Sequence, residues 1–384
     1  MVDSRMQVWA RNPDRRRRGE LVVVEAAAVL RDTEVGTWAM TVDGEDEVAQ
    51  QFDEGWGVIV YETDDQGAAR FQFSGPADPI TRELTDHGTD LVISGVDDNH
   101  VLADRLVLPQ PSASAEQQTA AAYYSHKGLA EDLIVKLINE QAGPLARVEW
   151  RTPGLVTATS VGRGGNSSVH ARLTRLLDEV RTIALTSGLV VTVGQRGIGP
   201  ELTVEVRSRA DRRRAVRFRP EQGLAAASAG IKAPTTNVVL VAGGGEGTAR
   251  VIRQYTAAGT GWGGRKVAVL QDRRDTTDLV EIAKAGAETL AAGAQTAVAT
   301  FDVTETDDAL LGREYQLGDT VTVDLGNWQV SEPARTAELK WDGSSRTVKL
   351  TVGDPRAENE ETTPAIYQDV RELSREVHQL KARR

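Results

Sequence analysis

Phe71-Gln72-Phe73-Ser74-Gly75-Pro76-Ala77 returns late in the chain as Trp328-Gln329-Val330-Ser331-Glu332-Pro333-Ala334, with four of seven positions identical. Each stretch follows a glycine-led apolar run, Gly57-Val58-Ile59-Val60 in one case and Gly318-Asp319-Thr320-Val321-Thr322-Val323 in the other. A match this short leaves both coincidence and a structural repeat open. A true repeat would give each chain two similar β-rich bodies, so that a ring of a few chains would carry twice as many equivalent walls.

Outward from the first stretch, residues 1–110 read as β-structure. Leu21-Val22-Val23-Val24, Gly36 to Val42, Val58-Ile59-Val60-Tyr61 and Asp90 to Ser94 are short runs rich in β-branched or aromatic residues. Turn signals such as Asp43-Gly44 separate them. Residues 111–215 read as an α+β insertion after a Pro/Ser/Gln connector. Its first helix is expected from Ser125, with Leu129, Leu133, Ile134, Leu137 and Ile138 on one face. A second is expected to be capped by Ser167 or Ser168, with Leu173, Leu176, Leu177, Val180 and Ile183 inward. Strands return over 216–353, interrupted by one helix through Leu279, Ile282, Ala283, Ala287 and Leu290, and 354–384 is an acidic linker followed by a helix. The expected fold class is α+β, mainly β.

The chain has 384 residues, a formal charge of −11 and no cysteine. The charge argues against a dedicated nucleic-acid binder, whose affinity would come from a basic surface. The missing cysteines exclude disulfides, thiol nucleophiles and thiolate metal sites. The five histidines, at 87, 100, 126, 170 and 378, form no i, i+4 pair. Met1-Val2-Asp3-Ser4-Arg5 lacks the apolar core of a signal peptide. The longest apolar run, Leu21 to Leu30, is interrupted by Glu25 and falls short of the ~20 residues of a membrane helix. A soluble protein made in the cytoplasm, without membrane insertion, is the expectation.

Several motifs invite a chemical reading. Val238 to Thr248 runs a strand into Gly243, Gly244, Gly245 and Gly247, but the GxGxxG spacing fails and no Gly-Lys-Ser/Thr follows. These glycines, like Gly318 and Asp319, are read as structural turns, with no cofactor. Ala158-Thr159-Ser160-Val161-Gly162 is one residue from a nucleophile elbow, but only His170 and His378 lie downstream. Asp97-Asp98-Asn99-His100 lacks the calcium-loop pattern and reads as a solvated turn; no metal is expected. Arg15 to Arg18 and Arg212 to Arg214 read as solvated loops or subunit contacts, and the seven tryptophans as core. Ile366, Val370, Leu373, Val377 and Leu380 recur at heptad spacing, with Glu376 and Lys381 placed to pair between helices. That seam fits self-association or packing on the chain's own body, and it is too short to hold chains together alone.

Taken in order, Gly36-Thr37-Trp38, Gly55 to Val60, Phe73-Ser74-Gly75-Pro76, Ile93 to Asp98, Leu106 to Pro109, Ala233 to Val238, Gly243 to Arg250 and Tyr315 to Val321 resemble the gp37-like siphophage tail proteins. The resemblance covers about residues 5 to 350. It implies two barrel-like, tail-tube-type domains per chain in a homotrimeric, pseudo-sixfold hub of the virion tail tip. It implies a structural rather than an enzymatic role. The hub would meet the distal tail protein, the tape-measure protein and downstream fibres, and let DNA pass in transit. A carbohydrate- or receptor-binding module and a cell-wall hydrolase are the alternative classes, separable by glycan arrays and zymography.

Overall fold

Strands dominate because β-branched and aromatic residues alternate with polar ones between glycine and aspartate turns. A computed structural model describes residues 5–63, 69–86, 88–257, 262–274, 276–306, 308–341 and 346–354. The chain opens with β1 (Arg5–Arg11), β2 (Arg17–Leu21), β3 (Val23–Arg31), β4 (Thr37–Asp43), the short helix α1 (Glu47–Gln51), β5 (Gly57–Thr63), β6 (Ala69–Thr85) and β7 (Gly88–Val96). All pairings here are antiparallel: β1 with β2 and β5, β5–β6–β7 as a meander, then β7 with β4 and β4 with β3. The long β6 changes partner midway. Gly57 to Val60 face Pro76 to Phe73, and past a register shift after Ala77 the strand continues against β7. A shift of this kind bends a strand and lets a sheet curl.

The bend brings backbones together. A Cβ on Gly75 would lie 1.9 Å from the Val96 carbonyl oxygen, and one on Gly95 2.1 Å from that of Pro76. Trp38, 1% exposed, packs beside Gly95, and its indole N–H donates to the Val96 carbonyl at 3.0 Å.

The middle of the chain is an α+β layer: α2 (His100–Ala103), β8 (Tyr124–Leu129), α3 (Ala130–Gln141), β9 (Leu155–Thr157), β10 (Asn166–Ala171), α4 (Leu176–Thr186), β11 (Leu189–Gly194) and β12 (Leu202–Ser208). Both helices start later than their capping serines suggest. Ser125 lies in β8, and Ser167 and Ser168 lie in β10, because the two segments pair with each other as an antiparallel ribbon. Leu129 and Leu173 are accordingly exposed rather than part of the buried stripes. Leu133, Ile134, Leu137 and Ile138 of α3 pack with Leu176, Val180 and Ile183 of α4 and with Val191, Val193, Leu202 and Val204 of the β11–β12–β9 sheet.

The last part contains β13 (Arg217–Phe218), β14 (Leu224–Lys232), β15 (Val238–Ala242), β16 (Ile252–Thr256), β17 (Ala268–Asp272), α5 (Leu279–Ala292), β18 (Thr296–Val303), β19 (Thr320–Asp324), β20 (Gln329–Trp341) and β21 (Arg346–Gly353). The opening echo is a repeat in register. Thr320 to Val323 face Pro333 to Val330, as Gly57 to Val60 face Pro76 to Phe73, and the register shift after Ala334 matches the one after Ala77. The sheet order β1-β5-β6-β7-β4-β3 is reproduced as β13-β19-β20-β21-β18-β14, with the strands in the same chain order. One pairing departs: β13 lies parallel to β19, whereas β1 is antiparallel to β5. Pairing of β3 with β20 joins the two halves into one sheet. The fold is α+β and mainly β, with two barrel-like halves.

The chain divides into two units. Among the described residues, one holds those up to Ala227 and Thr300–Val352; the other holds Ser228–Ala299 with Gly353 and Asp354. The chain leaves the first along β14 and returns along β18. In the first unit, Phe218 packs on Phe301 at 5.0 Å and edge-on to Tyr315 at 5.6 Å between ring centroids. In the second, a small sheet, β16-β15-β17, carries α5 on one face, with Ile282 and Ala285 against Val239 and Val241.

Candidate functional site

The densest buried polar chemistry lies in the first unit, where β11 meets the first barrel-like half. β11 pairs with β12 along one edge. Along the other edge, alternate backbone N–H groups donate to side chains: Val191 to Thr33 Oγ1 at 3.1 Å, Val193 to Asn99 Oδ1 at 2.8 Å and Gln195 to Ser74 Oγ at 2.8 Å. An open strand edge invites unwanted pairing, and these three side chains close it.

Behind them the Ser74 hydroxyl donates to Asp98 at 2.5 Å, and Arg11 donates to both Asp98 oxygens at 2.8 and 2.6 Å and to Gln195 Oε1 at 3.1 Å. Arg11 is 4% exposed and Asp98 1%. A buried charge pair of this kind depends on two-point geometry and further hydrogen bonds to offset its desolvation.

Asp97-Asp98-Asn99-His100 is therefore not a solvated turn. The α+β layer closes over it, and its first three residues are buried. The Asp97 carboxylate receives the Asn99 backbone N–H and side-chain amide, each at 3.1 Å. Burial pushes the Asp97 carboxyl up to about 8, against backbone donors from Gly36 and Asn99, with the neighbouring Asp98 adding to the rise and Arg31 opposing it. No signal local to this stretch reports the burial, because Arg11, Ser74 and Gln195 are distant in sequence.

Two further networks tie the halves of this unit. Arg346 of β21 is 2% exposed and reaches Glu62 of β5 and Glu305, its Nε to Glu305 Oε2 at 2.8 Å. Asp32, following β3, receives Arg209 through two bonds of 2.7 and 3.0 Å and also Arg335 of β20. Gly318 and Asp319 sit in that corner. Asp319 accepts from Arg207 at 2.7 Å, from the Ala210 N–H at 3.1 Å and from the Gln316 N–H at 3.0 Å. Gly318 has φ +93°, and a Cβ there would lie 2.4 Å from Val190 Cγ2.

The glycine loop belongs to the second unit. The Gly243 N–H donates to the Val251 carbonyl at 2.8 Å and the Gly244 N–H to that of Thr276 at 2.7 Å, so neither amide points at a ligand. Gly245 and Gly247 take φ of +108° and +54° to turn the chain towards Arg250, which bonds the Ala242 and Gly243 carbonyls. Asp278 caps the N-terminus of α5 through the Val280 N–H at 2.8 Å and places a negative charge where a phosphate would bind.

The other motifs are dispersed. Ser160 donates to Asp132 at 2.5 Å, while His170 stacks on Tyr123 at 4.2 Å beside Ser125. The structure does not assemble them into a triad. Trp38 and Trp341 are core, but Trp262 is half exposed, bonding Gln295 at 2.8 Å. Ile366, Val370, Leu373, Glu376, Val377, Leu380 and Lys381 lie outside the described residues, as do His87 and His378. Among the described residues no cluster of His, Cys, Asp or Glu is placed to hold a metal ion, and no helix is long and apolar enough to cross a membrane.

The fold is that of phage tail proteins. The 43 kDa tail protein of prophage MuSo2 from Shewanella oneidensis superposes with a TM-score of 0.57 at 13% identity, covering 92% of this chain and 99% of the other. The tail protein from Neisseria meningitidis MC58 gives 0.55 at 13%, covering 92% and 97%. Prophage tail protein gp18 from Listeria monocytogenes EGD-e gives 0.55 at 11%, covering 96% and 99%. No curated protein matches the sequence. Identities this low speak for the fold alone, but the family model of the Siphovirus ReqiPepy6 Gp37-like proteins matches residues 5–354, and the chain belongs to that family.

Proposed function

We propose that this chain is a structural hub of a siphovirus tail tip, working as a homotrimer and catalysing nothing. The observation that carries the reading is the repeat in register, β5–β6–β7 against β19–β20–β21. Two like halves in one chain let three chains present six similar walls, the arrangement needed to match a sixfold tube. In this reading residues 1–110 and 216–353 are the two hub domains, 111–215 the insertion between them and 354–384 a linker with a helix. Ile366, Val370, Leu373, Val377 and Leu380 would add a self-association seam, with Glu376 and Lys381 pairing across it.

The hub would join the distal tail protein to the tape-measure protein and to downstream fibres, and DNA would cross its bore during ejection. The formal charge of −11 supports a passage to which DNA does not adhere. Light scattering on the purified full chain tests the assembly, with three times the chain mass expected and a strictly monomeric particle overturning it. Cryo-microscopy of the trimer should find a net acidic bore; a basic or apolar one would count against passage of DNA.

A further inference from the structure

The small sheet of the second unit has two unlike open edges. β15 lies in its centre, antiparallel to β16 and parallel to β17. Among the described residues the outer edges of β16 and β17 make no ladder hydrogen bonds. β17, Ala268-Val269-Leu270-Gln271-Asp272, has no proline, no lysine and no bulge, and its one charge, Asp272, stands at its end. Its apolar residues are open to solvent, Val269 at 37% and Leu270 at 62%. On β16, Ile252 is 53% exposed. Register places Leu270 and Ile252 on the same face of the sheet, since Leu270 faces Leu240, and Ile252 faces Ala242 two residues along. α5 packs on the opposite face, where Val239, Val241 and Tyr255 meet it.

We propose that β17 of one copy pairs with β16 of the next, adding the sheets edge to edge through the assembly. Strand direction allows it, because β16 and β17 run opposite ways and so meet as an antiparallel pair. Apolar matching sets the register, with Leu270 opposite Ile252 of the partner subunit. Ala268 then faces Gln254 of the partner subunit, while Asp272, at the end of the strand, stays with Arg250 and Arg274 of its own chain. The contact is heterologous and propagates from copy to copy, as a ring of three requires; a β17–β17 contact would close at two.

The pairing rests on the self-assembly reading above, and one experiment separates the two. The chain has no cysteine, so introduced thiols report without background. The full-length variants Leu270→Cys/Ile252→Cys and, in the same register, Ala268→Cys/Gln254→Cys are oxidised beside their single variants, with circular dichroism checking that each folds as wild type does. Loss of the monomer band in favour of covalent multimers is expected for both doubles and for neither set of singles. A multimeric wild type whose doubles stay uncrosslinked overturns the edge pairing alone, including the case in which another tail protein fills β17. Crosslinking of the Leu270→Cys single replaces it with a twofold contact. A monomeric wild type removes both readings.

Discussion

Ser74 and Ser331 hold the same place in the two meanders and have unlike surroundings. Ser74 is fully buried; its hydroxyl joins Asp98 and receives the Gln195 N–H of the α+β layer. Ser331 is exposed, and among the described residues its hydroxyl bonds across the ladder, to Thr322 at 2.8 Å. The difference teaches that strand register and surface are specified separately. A bulge and a shared Ser-x-Pro-Ala frame preserve the first, while what covers the face is decided by the segment that follows β7.

Removing charge from the covered face should have the largest effect. Asp98→Ala leaves Arg11 buried without its partner and is expected to cost about 3–5 kcal/mol, read from denaturant unfolding. Ser74→Ala leaves the Gln195 N–H and an Asp98 oxygen short of a partner, and about 1–3 kcal/mol should be lost.

Asp97→Asn tests the same face through pH. The folded carboxyl sits at about 8 against an ordinary 3.8, so the folded state holds a proton that the unfolded chain releases. Its stabilisation is complete below the ordinary value and is lost as pH rises through 8. The melting temperature of the Asn variant relative to wild type should therefore climb from pH 5 to pH 9; a flat difference would mean that Asp97 is ionised throughout. Ser331→Ala, on the open face, should change stability by no more than about 0.5 kcal/mol. If it matched Ser74→Ala, the contrast between the two copies would collapse.

The repeat was legible because its residues do local work. Pro76 and Pro333 stand at the same register positions, and Ala77 and Ala334 both sit at the bend. Strand positions followed from alternation. The starts of α3 and α4 were not legible, since Ser125 and Ser167 answer to a pairing between segments forty residues apart rather than to the helices beside them. Burial of Asp97 to Asn99 was hidden for the same reason. A run of Asp-Asp-Asn looks wet until Arg11 and β11 arrive from elsewhere in the chain. At the glycines 243 to 247, which carbonyls consume the amides depends on Val251 and Thr276 folding back, and no local signal reports that.

β14 and β18 are neighbours in the sheet, so the chain sets out on its excursion and comes home at almost the same spot. Whatever lies between can lengthen, shrink or be exchanged for the modest entropy of closing one loop, which grows only with the logarithm of its length. Natural variation among relatives should concentrate in that interval, leaving the strands of the first unit untouched while new attachments are tried.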